Sequence, residues 1–576
     1  MSSRVTAPVG AEPATGAPTP EDRDVAAPLA DGPALLVVLL ASVVVVGTAA
    51  ELLGLRPLAT RSGSVVALVL ALAPVVALAL HQRSAGSARS GRSPVRWAAV
   101  GRGLLVAAPA LLLLALLLGS LALPTAARVE WFLGGDHVRN VVLVADERAH
   151  GALDYSARNY PRGWHTLVTL VWSLTGPTGP RTDLLGLVSV MSALCWLLSV
   201  ALTLATATLT AALAHRVGVR PRAAAVAAAL AGAATLWPAF LGSYQALGFE
   251  GTFTAALLLA VGLREVLARP ASVTALLTTW GGVLVMSHTW QLLLPVSGLL
   301  ALTASWAWIR RTRAARPRSV AAVAGLALLA GAVSLPPLTA VVETVGVGHA
   351  VVADVEAPVP LWLLVLGLVA TAGLVVAHRK DRGLVVPLLL CALPALTAVV
   401  LALRLGIPVT RYYPAKLLWH TTVLGLSPLA VVGALTWERD ASSSGRVVVR
   451  GLLATVAAAC TVGALVAPWG AFTGAWRSSD GATVLRLLAA PGAERAQVVW
   501  SDGVLVTDAV TRILLDAYRS GERTSDTLQH SASVEEECAL LQAAATPTVL
   551  TDRPEADVRA RYACVPDLRV VTVPTD

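Results

Sequence analysis

The chain has 576 residues, 56% of them hydrophobic and only 14% charged. Soluble domains carry about 25% charged residues, so a soluble enzyme is disfavoured. The apolar content excludes a disordered or collagen-like chain, and five cysteines exclude a disulfide scaffold. The net charge of +9 is no nucleic-acid signature: residues 1–32 hold two Arg against five acids and residues 475–576 hold ten Arg against fifteen acids, leaving 32 bases and 15 acids between them. That central excess lies in loops between apolar runs and reports membrane topology.

Residues 1–32, rich in Pro, Ala and Thr, cannot bury enough apolar surface to order and are expected as a disordered cytoplasmic tail. No basic stretch opens the chain, so this is not read as a secretory signal. Apolar runs long enough to span a bilayer follow at about 34–54, 64–80, 103–123, 184–214, 223–241, 252–267, 273–287, 290–309, 320–341, 361–377, 384–403, 417–436 and 451–468. Alternate loops are basic. They hold Arg83, Arg89, Arg92 and Arg96; Arg216, Arg220 and Arg222; Arg264 and Arg269; Arg310, Arg311, Arg313, Arg316 and Arg318; Arg379, Lys380 and Arg382; and Arg439, Arg446 and Arg450. All six face the cytoplasm together only with the N-terminus inside and the C-terminus outside. The fold class is therefore an all-α polytopic membrane protein of about thirteen transmembrane helices. Its transmembrane unit covers 33–474, with a large external loop at 124–183, in a cell (plasma) membrane. Trp164–Leu174 is too short to cross and is read as interfacial or re-entrant.

In the first external loop, Val138, Val141, Val142 and Ala145 follow helical spacing and predict a helix lying along the membrane, with Asp136, Asn140 and Glu147 on another stripe. Asp136 then stands at the helix start, behind Gly134–Gly135, which allow a substrate to come close. A carboxylate there can accept a proton from a sugar hydroxyl attacking an anomeric carbon. Alternatively it caps the helix, and the two roles can coexist. Tyr160, Arg162 and His165 open the short segment that follows, and His288 and Trp290 occupy a tight outer turn. At the outer mouth of a later span stands Thr410-Arg411-Tyr412-Tyr413-Pro414-Ala415-Lys416. Lys416 is one of two lysines among 44 basic residues. The other short outer loops after the first carry no positive charge, so Arg411 and Lys416 suit a lipid-borne phosphate. The competing reading is that they snorkel and anchor the helix end.

Few ionisable groups fall inside the spans, which speaks against an ion-coupled transporter. Residues 475–576 change character. Gln497–Trp500, Thr548–Leu550 and Arg569–Val573 read as strands, Val504–Tyr518 and Val534–Ala545 as helices, the second opened by Ser533 with Glu536 three residues on. This small α/β domain is placed outside, where an oxidising compartment suits a Cys538–Cys564 disulfide. Cys195, Cys391 and Cys460 fall inside spans and are read as lipid- or core-facing. No Walker, GxGxxG, HExxH or CxxC pattern occurs, so no nucleotide or zinc is indicated.

Gly135-Asp136-His137-Val138-Arg139, Asp154-Tyr155, Tyr160-Pro161-Arg162-Gly163-Trp164 and the Arg411–Lys416 segment, set in this layout, resemble the GT-C class of integral-membrane glycosyltransferases. The first loop is similar to that of the actinobacterial arabinofuranosyltransferase A type, with Arg162 standing where that type has a second Pro. The resemblance implies transfer of arabinofuranose, or another pentose or hexose, from a polyprenyl-phosphate donor to a cell-envelope glycan. Asp136 would be the base, Arg139 would steady it or touch substrate, and Arg411 and Lys416 would meet the donor phosphate. Asn140, Tyr160, Arg162, His165, His288, Trp290, Tyr412 and Tyr413 would line the substrate. No cofactor is required. Some relatives use a divalent metal, for which Asp136, Glu147 and His150 are the available ligands. Partners are then the donor, the glycan acceptor and the bilayer, not nucleic acid. The alternatives are a transporter or flippase of a lipid-linked glycan, or a non-catalytic assembly protein.

Overall fold

The computed structural model describes residues 27–87, 97–133, 136–153, 155, 162–176, 180–235, 250–312, 316–345, 359–439, 481–502, 505–518 and 533–574. The chain opens with α1 (Ala27–Leu52), α2 (Arg61–Ser87) and α3 (Trp97–Ser120), followed by the short α4 (Thr125–Val129), α5 (His137–His150) and α6 (Gly163–Leu174). Next come α7 (Pro180–Arg216), α8 (Pro221–Ala234), α9 (Glu250–Ala268), α10 (Val273–Ser287), α11 (Leu294–Arg311) and α12 (Arg316–Val345). The membrane part closes with α13 (Leu361–Ala377), α14 (Arg382–Leu405) and α15 (Tyr412–Arg439). Among the described residues nine helices are long and apolar enough to cross a membrane, and α8, α10 and α13 are shorter apolar helices. The chain is an all-α polytopic membrane protein. The expected span at 451–468, with Cys460 and the loop residues Arg446 and Arg450, lies outside the described residues.

Helix starts follow local chemistry. The φ of −149° at Asp183 breaks the long α7. The Asp183 carboxylate accepts from Gly186 N at 3.1 Å, which caps the spanning part. Asp381 caps α14 by accepting from Gly383 N at 3.1 Å, and it also holds Arg216 through two bonds of 3.0 Å. Arg220 N donates to Glu438, Arg269 pairs with Asp31 of α1, and Gln82 donates to Thr274. These contacts gather the ends that carry the basic clusters. The Asp31 pair also corrects the expected 1–32 tail: helix begins at Ala27, because the apolar run after Pro33 carries the helical register back through Asp31.

Where α13 crosses α15, the backbones nearly touch. A Cβ on Gly367 would lie 3.1 Å from Gly425 Cα, and one on Gly425 would lie 3.2 Å from Gly367 Cα. Small residues permit such close packing between membrane helices. Gly367→Val is expected to cost about 1–3 kcal/mol by forcing the pair apart, read as a lower thermal midpoint in detergent. An unchanged midpoint would mean that this crossing is not held closely.

The C-terminal unit contains α16 (Gly481–Ala489), β1 (Val498–Trp500), α17 (Leu505–Tyr518), α18 (Val534–Ala543), β2 (Thr548–Thr551), α19 (Glu555–Arg561) and β3 (Arg569–Thr572). Its sheet is parallel in the order β1-β2-β3, with Val499 opposite Leu550 and Leu550 opposite Val571. Alternation along the strands sends Val499, Leu550 and Val571 to one side with Leu487 and Leu515, and Val498 and Val549 to the other with Leu541, Val558 and Tyr562. Both faces are covered, as parallel sheets require. Ser533 and Glu536 form the capping box of α18. Cys538 and Cys564 are joined as a disulfide. The helices α16 and α19 have no counterpart in the sequence reading, since each spans fewer than ten residues.

One expectation for the first loop is overturned. Helix α5 does not lie along a lipid surface with one polar face in water. His137, Asn140 and Glu147 are as buried as Val138 and Val141, because these polar side chains meet Glu250 of α9 and Thr166 and Thr169 of α6, while α17 also packs against α5. Helix α6, expected as interfacial or re-entrant, is enclosed by protein. It is packed among α1, α2, α5 and α7, with Trp164, Val168, Leu170 and Trp172 all buried. At twelve residues it spans about 18 Å, so it is a buried half-length helix.

Candidate functional site

The site forms where the starts of α5, α9 and α15 meet the middle of α7. Asp136 precedes α5 with helical φ and ψ of −72° and −11°, and its side chain makes no capping bond. Its Oδ2 instead accepts from the Tyr412 hydroxyl at 2.6 Å. The capping reading is thereby corrected: a residue already in the α-region holds its carboxylate off its own helix. Tyr412 is the first residue of α15, and Lys416 follows one turn later with Nζ 3.7 Å from the Tyr412 ring centre. That spacing stacks the two side chains and gives a cation–π contact. Lys416 is 5% exposed and feels the carboxylates of both Asp136 and Glu250. It does not snorkel, because α7, α9 and the rest of the bundle enclose its turn of α15. Arg411 is half-buried at the head of α15, where its carbonyl accepts from Ala415 N.

Glu250, the first residue of α9, is the hub beneath Asp136. One oxygen accepts from His137 Nδ1 at 2.5 Å and from the Cys195 thiol of α7 at 3.5 Å. The other accepts from Asn140 Nδ2. Asn140 Oδ1 in turn accepts from His165 Nε2 of α6 at 3.0 Å. His420, one turn beyond Lys416, lies between the carbonyls of Lys416 and Thr252, tying α15 to α9. Trp290 packs edge-on to Tyr413 and His420, with centroids 6.1 and 5.4 Å apart. Asp136 and Arg139 both act electrostatically on Tyr413.

A second polar group adjoins at the start of α6. Gly163 N donates to His288 O at 2.7 Å, and a Cβ there would meet Thr289 Oγ1 at 2.8 Å, so only glycine fits. Tyr155 lies outside the helices, with its hydroxyl 2.9 Å from His288 Nε2 and 2.7 Å from Thr48 Oγ1. Burial pushes the Tyr155 phenol up to about 12 and the His288 imidazole, in the turn after α10, down to about 4. Both are neutral at physiological pH. His288 Nδ1–H then donates to Leu284 O, leaving Nε2 to accept from Tyr155, which accepts from Thr48. Arg162 is 4% exposed, and among the described residues none of its guanidinium nitrogens has a hydrogen-bond partner.

The structure thus brings Asp136, Arg139, Asn140, His165, Trp290, Tyr412, Tyr413 and Lys416 to one place, with Arg162 and His288 adjoining. Tyr160 lies outside the described residues, as do Gly134 and Gly135. The metal set Asp136, Glu147 and His150 is not assembled. Asp136 faces Tyr412, Glu147 accepts from Thr166 and Thr169, and His150 bonds Glu51 of α1. Helical phase turns these three side chains toward different neighbours. Cys195 faces not lipid but Glu250. Sequence reasoning does not single out Glu250, His137 or Cys195. A signal existed for the first, since Glu250 is the only acid between Asp183 and Glu265. No protein-family model matches the chain, and no curated protein matches its sequence.

Proposed function

We propose that the chain is an integral-membrane glycosyltransferase, moving a sugar from a polyprenyl-phosphate donor to a cell-envelope glycan with Asp136 as general base. The observation that carries this reading is the meeting of a half-exposed carboxylate, a tyrosine hydroxyl and a cation at the head of α15. Asp136 takes the proton of the acceptor hydroxyl as that oxygen attacks the anomeric carbon. The bond from that carbon to the phosphate oxygen breaks, and polyprenyl phosphate leaves. One displacement inverts the anomeric centre. Arg411 meets the leaving phosphate at the head of the helix, and Lys416 adds its charge from behind Tyr412. The orientation that fits has the N-terminus inside and residues 475–576 outside. It rests on the basic ends gathered opposite the site and on the disulfide in that domain.

The direct test is transfer of radiolabelled sugar from polyprenyl-phosphate arabinose and mannose by the purified protein. Transfer from either supports the reading and names the sugar; no transfer from either rejects both donors. Lys416→Met is expected to raise the donor KM by roughly 10- to 100-fold, the value of a hydrogen bond to a charged group, with normal expression. An unchanged KM would remove Lys416 from the donor site.

One observation favours transport of a lipid-linked glycan as a second reading. The near absence of ionisable groups inside the spans argued against it, but Glu250, Lys416 and His420 are all buried in the helix bundle. Such residues commonly mark a pathway. Bound lipid-linked glycan moved across vesicles, without sugar transfer, would decide for that reading.

A further inference from the structure

We infer that His137, Cys195 and Glu250 form a binding site for one divalent metal ion of the zinc class, set one residue behind Asp136. One nitrogen, one sulfur and one carboxylate oxygen from three different helices lie within 4.8 Å of one another. Nδ1 of His137 is 2.5 Å and Sγ of Cys195 is 3.5 Å from the same Glu250 oxygen. Zinc bonds of roughly 2.0 to 2.3 Å in a tetrahedron place ligand atoms between three and four ångströms apart, so shifts below about 1 Å complete the set. All three residues are buried, at 0%, 3% and 1% exposure.

The donor set selects the ion. A thiolate disfavours magnesium and calcium, and the imidazole and carboxylate beside it suit zinc. A dication with one thiolate and one carboxylate is electrically neutral, as an apolar surrounding demands. On binding, the Cys195 thiol gives up its proton, and His137 binds through Nδ1 with its proton on Nε2. The outer shell is in place. Asn140 donates to the second Glu250 oxygen, His165 donates to Asn140, and the Phe132 ring stacks on His137 with centroids 3.9 Å apart. Three protein ligands leave a fourth position open. The ion pins the start of α5 to α7 and α9, and on the reading of Asp136 as base it fixes where that carboxylate stands.

The test is metal content by mass spectrometry on the purified full chain, then replacement by Co2+. One equivalent of zinc is expected, with a thiolate-to-cobalt charge-transfer band in the near ultraviolet. Cys195→Ser keeps the hydrogen bond to Glu250 and is expected to lose that band. Asn140→Ala is expected to weaken binding by roughly 10- to 100-fold. A folded wild-type protein that neither contains nor takes up a stoichiometric metal overturns the site. So does a band that persists in Cys195→Ser, which would place the ion on another cysteine. If Cys195→Ser does not fold, His137→Gln is measured instead by metal content: loss of the stoichiometric ion is expected, and full retention overturns the site. None of these readouts needs sugar transfer, so a protein that holds the metal and transfers nothing refutes only the transfer reading.

Discussion

Asp136→Asn is expected to lower sugar transfer by about 10²- to 10⁴-fold, the usual contribution of a positioned general base, with the protein still folded. The amide preserves size and can still accept from Tyr412, whose hydroxyl is 2.6 Å from Oδ2. What it cannot do is take up the acceptor proton. Donor binding should change little, because Arg411 and Lys416 are untouched, so the loss should appear in kcat rather than in the donor KM. Tyr412→Phe separates positioning from base chemistry. It removes the hydroxyl but leaves the ring over which the Lys416 ammonium sits, and a smaller loss is expected. Equal transfer by wild-type and Asp136→Asn protein would remove Asp136 as the base. Loss of donor binding in the same variant would make it a binding residue instead.

The membrane helices were legible because their signal is long and one-dimensional. An apolar run reports itself whatever packs beside it, so α14 appears as 384–403 in the sequence and as Arg382–Leu405 in the structure. The strands of the C-terminal unit were legible as short runs rich in valine and threonine, and α18 by its Ser533–Glu536 box. Helix α5 shows where that reasoning stops. Its valines indicate a buried face, yet nothing in its own residues reports that Glu250 of α9 and His165, Thr166 and Thr169 of α6 meet the polar one. Asp136 and Lys416 could be picked out because an acid after two glycines and one of only two lysines in the chain are unusual locally. Cys195 could not. It sits amid apolar residues of α7, and only the arrival of Glu250 from α9 gives it chemical meaning.

Glu250→Ala is expected to destabilise the protein by about 3–5 kcal/mol, because three buried donors lose their acceptor at roughly 1–3 kcal/mol each. The carboxylate is buried, and it accepts from His137, Asn140 and Cys195. Alanine leaves all three donors facing a cavity that spans α5, α7 and α9. Through Asn140 the damage reaches His165 and α6, so four helices lose a common anchor. Glu250→Gln is the control for charge. It fills the cavity and keeps an acceptor oxygen, but its amide turns a donor toward one of the donors already present. A cost of about 1–3 kcal/mol is expected, that of a buried donor left unsatisfied. Unfolding of metal-stripped protein in detergent measures both variants without a contribution from bound ion. If the alanine variant unfolded with wild-type stability, Glu250 would not hold these helix ends together. If the two variants lost equally, the stabilisation would come from the negative charge itself, acting on Lys416 as well as on the three donors.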